Sequence, residues 1–161
     1  MGDVVRDALS NRLRVRVCAI ITADDSVLMV HMQSPTRLDP IWTPPGGGLE
    51  YGETLQDGVV REVLEETGLI VQPTHLMYTS EFIKSPFHAV EYYWYCNVVG
   101  GALALGRDPE FADEDQFLKS VAYLKLDSLA DHAVFPEYIR HHLSTDLRSQ
   151  NRCTIHFSQI F

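Results

Sequence analysis

A mixed α/β domain, with helices packed on a sheet, is the fold class this sequence predicts. Three observations carry it. Strand-like stretches recur at 14–32, 69–99 and 119–126, a helix with both caps written into the sequence sits at about Leu55 to Thr67, and a second helical pattern follows at 134–143. No composition break, low-complexity tract or internal repeat divides the 161 residues, of which 45% are hydrophobic, so residues 1–161 are expected to form a single domain.

Taken in order, residues 4–10 are expected to form a short helical lead-in. "RVRVCAIIT" (14–22) alternates and then turns fully apolar, as a strand entering a core does. "ADD" (23–25) is turn chemistry, and "SVLMVHM" (26–32) reads as the returning arm of a hairpin. "QSPTRLDP" (33–40) is a polar loop, and "IWTPPGGG" (41–48) a short strand broken by Pro44 and Pro45. Thr54 is a good N-cap, Asp57 completes a capping-box pattern, and Gly68 stands where a left-handed C-cap belongs. Two strands then flank a "KSPF" turn, "GGALALG" (100–106) reads as a turn and short strand, and "RDPEFADEDQ" (107–116) as an acidic loop. "KSVAYLKL" (119–126) is a further strand, and "VFPEYIRHHL" a helix with Pro136 in its first turn. The tail "NRCTIHFSQIF" has strand character without indicating where it docks.

Thirteen Lys and Arg against 22 Asp and Glu give a net charge of −9, which argues against a nucleic-acid polymer or an anionic membrane as partner. The three cysteines, Cys18, Cys96 and Cys153, are widely spaced, with no zinc-type or redox-type pair. The N-terminus has no signal-peptide run, and no stretch approaches the ~20 apolar residues of a membrane span. A cytoplasmic protein is the expectation.

The central helix concentrates charge. With Glu62 set at zero on a wheel of about 100° per residue, Glu66 falls near +40° and Glu65 near −60°, one shared arc. Val59, Val63, Val60 and Leu64 occupy the arc expected to enter the core. Arg61 follows Asp57 by four residues, a plausible ion pair. Three acids at the edge of a core are costly unless a cation neutralises them, and hard dications take such oxygen ligands, sharing them with water and substrate phosphate. A metal would also let an acidic protein bind an anion. Gly58, on the same arc, costs roughly 1 kcal/mol against alanine, which suggests a close approach.

Ahead of the helix, Gly46, Gly47 and Gly48 can turn backbone groups toward a metal-bound anion, near the positive end of the helix dipole. Gly47, Glu53, Arg61, Glu62, Val63, Glu65, Glu66, Gly68 and Leu69 stand at spacings G-x5-E-x7-R-E-U-x-E-E-x-G-U, with U aliphatic. This resembles the Nudix hydrolase family, every fixed position of whose signature is matched over residues 47–69. The likeness extends over about residues 12–143 and leaves 144–161 as a tail of undetermined docking.

The resemblance implies a Nudix-type α/β/α sandwich with a mixed sheet. It implies a pyrophosphohydrolase that uses Mg²⁺ or Mn²⁺ to cleave the diphosphate linkage of a nucleoside diphosphate derivative by attack of water on phosphorus. Carried over by position, Glu62, Glu65 and Glu66 would be metal ligands, with the backbone carbonyl of Gly46 or Gly47 beside them. Arg61 would orient the acids, and Glu53 would support them or face the metal. The general base varies within the family: Glu62, Glu65, Glu110, Glu114 and Asp115 are candidates, with Glu114 preferred.

On the substrate side, Gly46, Gly47, Gly48, Arg37, Tyr93 and Tyr95 are the candidates, Tyr92, Trp94 and Cys96 lying on the other face of the strand. Lys84 and His88 are further loop residues within reach of phosphate. ADP-ribose-like nucleotides and oxidised or canonical dNTPs both stay open as substrates, as does a non-catalytic nucleotide sensor on the same fold. A homodimer through the apolar tail is possible by analogy.

Overall fold

The computed structural model describes residues 9–34, 37–106, 117–149 and 153–161. The lead-in at 4–8 and the acidic loop at 107–116 lie outside the described residues. Among the described residues nine strands form two sheets: β1 (Leu13–Ile20), β2 (Thr22–Ala23), β3 (Ser26–Met32), β4 (Ile41–Thr43), β5 (Gly46–Gly48), β6 (Leu69–Lys84), β7 (Phe87–Gly101), β8 (Leu118–Lys125) and β9 (Ile155–Ile160). Two α-helices lie among the described residues, α1 (Leu55–Thr67) and α2 (Glu137–Arg148), the latter preceded by a 3₁₀ turn at Leu126–Asp131.

The first sheet has the order β5-β1-β7-β6-β9 and is mixed, with β1/β7 and β6/β9 parallel and β1/β5 and β6/β7 antiparallel. In the second, β3 is central: β8 runs along one edge, and β2 and β4 share the other. The expected hairpin of 14–22 with 26–32 is therefore corrected. Only Thr22 and Ala23 fold back on Val27 and Ser26, while β1 leaves for the other sheet. The physical reason is that β1 is apolar on both faces beyond Val17, so it needs cover on both sides.

That double burial organises the core. Val17, Ala19 and Ile21 point to α1, where Val59 and Val63 meet them; Cys18 and Ile20 point the other way, toward Ile139 and Leu143 of α2. The two helices thus pack on opposite faces of the sheet, and the chain is an α/β sandwich. On α1 the apolar arc is narrower than the wheel predicted: Val59 and Val63 are fully buried, but Leu64 is 48% exposed. Thr67, with its hydroxyl donating to the Val63 carbonyl, closes the buried face instead.

The caps stand as read. Thr54 Oγ1 accepts from the Asp57 amide at 3.1 Å, and Gly68 has φ 70°. The Asp57 carboxylate accepts the Thr54 hydroxyl at 2.7 Å rather than completing the backbone half of a capping box. Residues 102–106 form no strand; they turn back on the end of α1, with Ala104 and Gly106 amides donating to the Thr67 and Glu66 carbonyls. The tail docks as β9 beside β6, Tyr78↔Ile155 through Ile83↔Ile160. Among the described residues no helix is long and apolar enough to cross a membrane.

Candidate active site

The glycine strand β5 pairs with β1 (Arg16↔Gly48, Val17↔Gly47, Cys18↔Gly46), which lays it against Arg61, Glu62 and Glu66 in the second half of α1. Gly46 has φ 151°, and a Cβ there would meet the Val17 carbonyl and stand 2.6 Å from the Cys18 Cα, so only glycine fits. A Cβ on Gly47 would stand 2.5 Å from Oε2 and 2.6 Å from Oε1 of Glu62. The missing side chain at 47 is thus the space the Glu62 carboxylate uses. The Gly46 amide donates to Glu66 Oε2 at 2.8 Å.

Arg61 ties the acids together. Its Nε and Nη2 donate to the two oxygens of Glu53 at 2.8 and 3.0 Å, a bidentate fork. Nη1 donates to Glu62 Oε1 at 2.9 Å and Glu65 Oε2 at 3.2 Å, and Nη2 also reaches the Gly48 carbonyl at 3.0 Å. The expected pair with Asp57 is absent from these partners: Asp57 is engaged by Thr54, and the Glu53 fork offers two parallel bonds in place of one. Gly58 lets this happen, since a Cβ there would lie 3.1 Å from Glu53 Oε2 and 2.9 Å from Leu49 Cδ1.

The electrostatics differ along the row. The Arg61 hydrogen bond holds Glu53 below the usual carboxylate range. Burial pushes Glu62 up, against the pull of Arg61. Glu62 is 13% exposed and Glu65 35%, so charge on Glu62 is the more costly to keep without a cation.

Behind the glycine strand lies a cavity whose polar lining includes Arg14, Arg16, Glu91 and Tyr93. Arg14 and Arg16 share one face of β1 by the alternation of a strand. Arg14 lies beside Gly48, and Arg16 Nη2 donates to the Gly46 carbonyl at 3.4 Å. Burial, then the neighbouring Arg16, lowers the Arg14 pKa to about 10. Sequence reasoning missed these residues. The available signal was two arginines at i and i+2 in an otherwise apolar strand, and one glutamate inside the aromatic strand β7.

The other expected residues are scattered. Arg37 lies over the Phe135 ring, 4.1 Å from its centroid, and Phe135 lines the cavity. Tyr93 is 1% exposed and belongs to the core as well as the cavity floor. Tyr95 stands apart: its hydroxyl is 2.7 Å from Thr22 Oγ1 and its ring stacks on His75 at 5.3 Å. Both faces of β7 are packed, for Tyr92 and Trp94 lie against the cluster under α1. His88 lines the cavity and pairs with Glu81 at 3.1 Å, whereas Lys84 lies over Phe161. Glu110, Glu114 and Asp115 lie outside the described residues.

Among the described residues no group of three or more His, Cys, Asp or Glu side chains stands arranged around a point that could hold an ion. Glu62 and Glu65 turn to Arg61, and Glu66 to the Gly46 amide. The donor set nonetheless fits a hard dication. Three carboxylates and the carbonyls of a glycine strand are all oxygen ligands, and a carboxylate with about four lone-pair sites is not spent by one N–H bond. The bare Gly47 Cα face leaves Glu62 room beside the strand.

Comparison with known proteins bears on this geometry. A family model described as the NUDIX domain matches residues 12–142. An ADP-ribose pyrophosphatase of Methanocaldococcus jannaschii is 34% identical over 101 residues, 62% of this chain and 59% of that protein. The 8-oxo-dGDP phosphatase NUDT18 of Mus musculus is 31% identical over 104 residues, 62% of this chain and 31% of that protein. The matched stretch thus spans less than two thirds of either relative. A NUDIX hydrolase from Nitrosomonas europaea superposes with a TM-score of 0.71 at 22% identity, covering 88% of this chain and 92% of that one, a likeness of fold.

Proposed function

This chain belongs to the Nudix hydrolase family, and from that premise we propose that it cleaves the diphosphate linkage of a nucleoside diphosphate derivative by attack of water on phosphorus, with Mg²⁺ or Mn²⁺ as cofactor. The observation that carries the reading is the Arg61 guanidinium, which binds Glu53, Glu62, Glu65 and the Gly48 carbonyl at once, beside a glycine whose Cβ would collide with Glu62. A solvated acidic face has no use for such a hub. The two relatives named above carry the names of enzymes acting on ADP-ribose and on an oxidised guanine nucleotide, and an ADP-ribose-like nucleotide and a dNTP are the two substrate classes proposed here.

In this proposal Glu62, Glu65 and Glu66 hold the dication with the Gly47 carbonyl, Arg61 fixes the direction of Glu62 and Glu65, and Glu53 anchors Arg61. When bound, the ion supplies a more acidic water and charge neutralisation on the phosphoryl oxygens. Glu114 is proposed as general base. The backbone of Gly46–Gly48, with Arg14 and Arg16 behind it, offers the anionic substrate positive potential in a chain of net charge −9. Arg37 and Tyr93 lie on the side of the base or sugar; Tyr95, held by Thr22 and His75, is left out. Cys18, Cys96 and Cys153 are not joined by disulfides, which supports a cytoplasmic setting.

The test is hydrolysis of a panel of ADP-ribose, nucleotide sugars, dinucleoside polyphosphates and canonical and oxidised dNTPs with Mg²⁺, read as phosphate after phosphatase coupling. Turnover of one class, abolished in Glu66→Gln, supports the reading. Tight binding of one compound with no turnover of any would replace the enzyme by a nucleotide sensor.

A further inference from the structure

Glu91 occupies a position where its residue type is least at home. It lies in β7 between Val90 and Tyr92, its side chain nine-tenths buried on the lining of the cavity behind the glycine strand. A carboxylate so placed needs its lone pairs met. Oε2 is met twice, by the Tyr93 hydroxyl at 2.9 Å and by Gln159 Nε2 at 3.0 Å. Burial and then Glu91 push the Tyr93 hydroxyl well above 10, so it remains a donor. Gln159 is itself fixed, its Nε2 also donating to Ser80 Oγ at 2.8 Å.

Oε1 is different. It makes no hydrogen bond among the described residues, and its cationic neighbour, Arg16 Nη1, stands 4.0 Å away, beyond hydrogen-bonding range. Arg16 Nε, on the same guanidinium, is buried without a partner. The Glu91 acceptor and the Arg16 guanidinium therefore stand 4.0 Å apart on the cavity lining, a gap that no hydrogen bond closes. The same Arg16 reaches the Gly46 carbonyl with Nη2, so the gap borders the glycine strand.

What satisfies both groups at once is a planar edge carrying an N–H next to an acceptor. Nucleobases have such an edge, as N–H beside C=O or as an amino group beside a ring nitrogen. A phosphate offers acceptors alone and would face the carboxylate with like charge. A hydrocarbon would leave both groups unmet. Phe82, Phe87 and Phe135, also on the cavity wall, supply ring faces for a flat heterocycle.

We propose that Glu91, through Oε1, reads the base edge of the substrate with Arg16, and that Gln159 is a positioning residue that holds the carboxylate for this task. The proposal rests on the hydrolase reading for placing the diphosphate at Gly46–Gly48 and goes beyond it in assigning the group that recognises the base. Gln159 lies in β9, past residue 142 where the family match ends.

The rival reading makes Glu91 only the counter-ion of a buried arginine. To separate them, binding of AMP, GMP, UMP and CMP is compared by calorimetry with that of ribose 5-phosphate, the base-free counterpart, in wild type, Glu91→Gln, Gln159→Leu and the double variant. At least one nucleotide should bind wild type about 10-fold or more tighter than ribose 5-phosphate, the worth of one well-made hydrogen bond. Each single variant should remove most of that preference without weakening ribose 5-phosphate, and the double variant should lose no more than Glu91→Gln alone, because Gln159 acts through Glu91. In turnover the loss should appear in KM. Equal weakening of base-bearing and base-free ligands, or additive losses, would overturn the proposal. If Glu91→Gln fails to fold, Gln159→Leu decides by the same comparison. Base preference without hydrolysis of any panel compound would sink the hydrolase reading alone; hydrolysis without a Glu91-dependent preference would sink this one alone.

Discussion

Arg61 grips both oxygens of Glu53, Nε on Oε1 at 2.8 Å and Nη2 on Oε2 at 3.0 Å, and so fastens the loop before α1 to the second turn of that helix. A planar fork matches a carboxylate in a way a point charge does not. Arg61→Lys should lower stability by about 1–3 kcal/mol in urea unfolding. It should also cut turnover, because Glu62 and Glu65 lose the donor they share. A variant with wild-type stability and rate would show that the fork is incidental.

Gly47→Ala separates chemistry from folding. The backbone at 47 is not in the left-handed region, so the methyl group brings no φ strain, only a collision with Glu62 at 2.5–2.6 Å. Displacing a ligand by about an ångström should reduce turnover about 100-fold. The melting temperature should change little, since a carboxylate terminus can swing aside. Full activity in this variant would contradict the proposed use of Glu62.

The Glu53–Arg61 pair sets a pH window for stability. Arg61 lowers the Glu53 pKa in the folded protein, so the unfolded chain, at about 4.3, binds the proton more readily. The stability it contributes is fully present above about pH 4.3 and fades as pH falls through the lower folded value. The stability gap between wild type and Glu53→Gln should therefore be flat across neutral pH and shrink below about pH 4. Denaturant titrations at several pH values measure it; a gap that widens in acid would reverse the sign.

Gly58→Ala opposes two effects of similar size. Alanine is worth up to about 1 kcal/mol in a helix interior. Its methyl group would meet Leu49 Cδ1 at 2.9 Å and both Val17 Cγ2 and Glu53 Oε2 at 3.1 Å. Overpacking costs typically 1–3 kcal/mol, so a net loss of about 1 kcal/mol is expected on thermal unfolding. A stabilised variant would mean that the loop yields more easily than its contacts suggest.

How much of this was legible depended on distance along the chain. Helix α1 was readable to the residue, because Thr54 and Gly68 act locally and the acids sit at fixed spacing. The separation of β1 from β3 was not, since strand pairing is decided by which face finds a partner far away in sequence. The side chain of Arg61 illustrates the same limit. A wheel places Asp57 within reach, but it cannot show a loop carboxylate folding back over the helix. Glu91 and Gln159 are 68 residues apart and meet only because β9 pairs with β6, a docking the tail sequence does not state.

The parallel seating of β9 has a consequence for how such a chain can diversify. The acids stand on α1 and Gln159 of β9 braces Glu91 on the cavity wall, so, if Glu91 reads the base as proposed, changes in that last strand would alter what is admitted while leaving the acids untouched. On that reading, ligand preference and bond-breaking would be free to drift apart over generations, because each would be inherited on its own stretch of polypeptide.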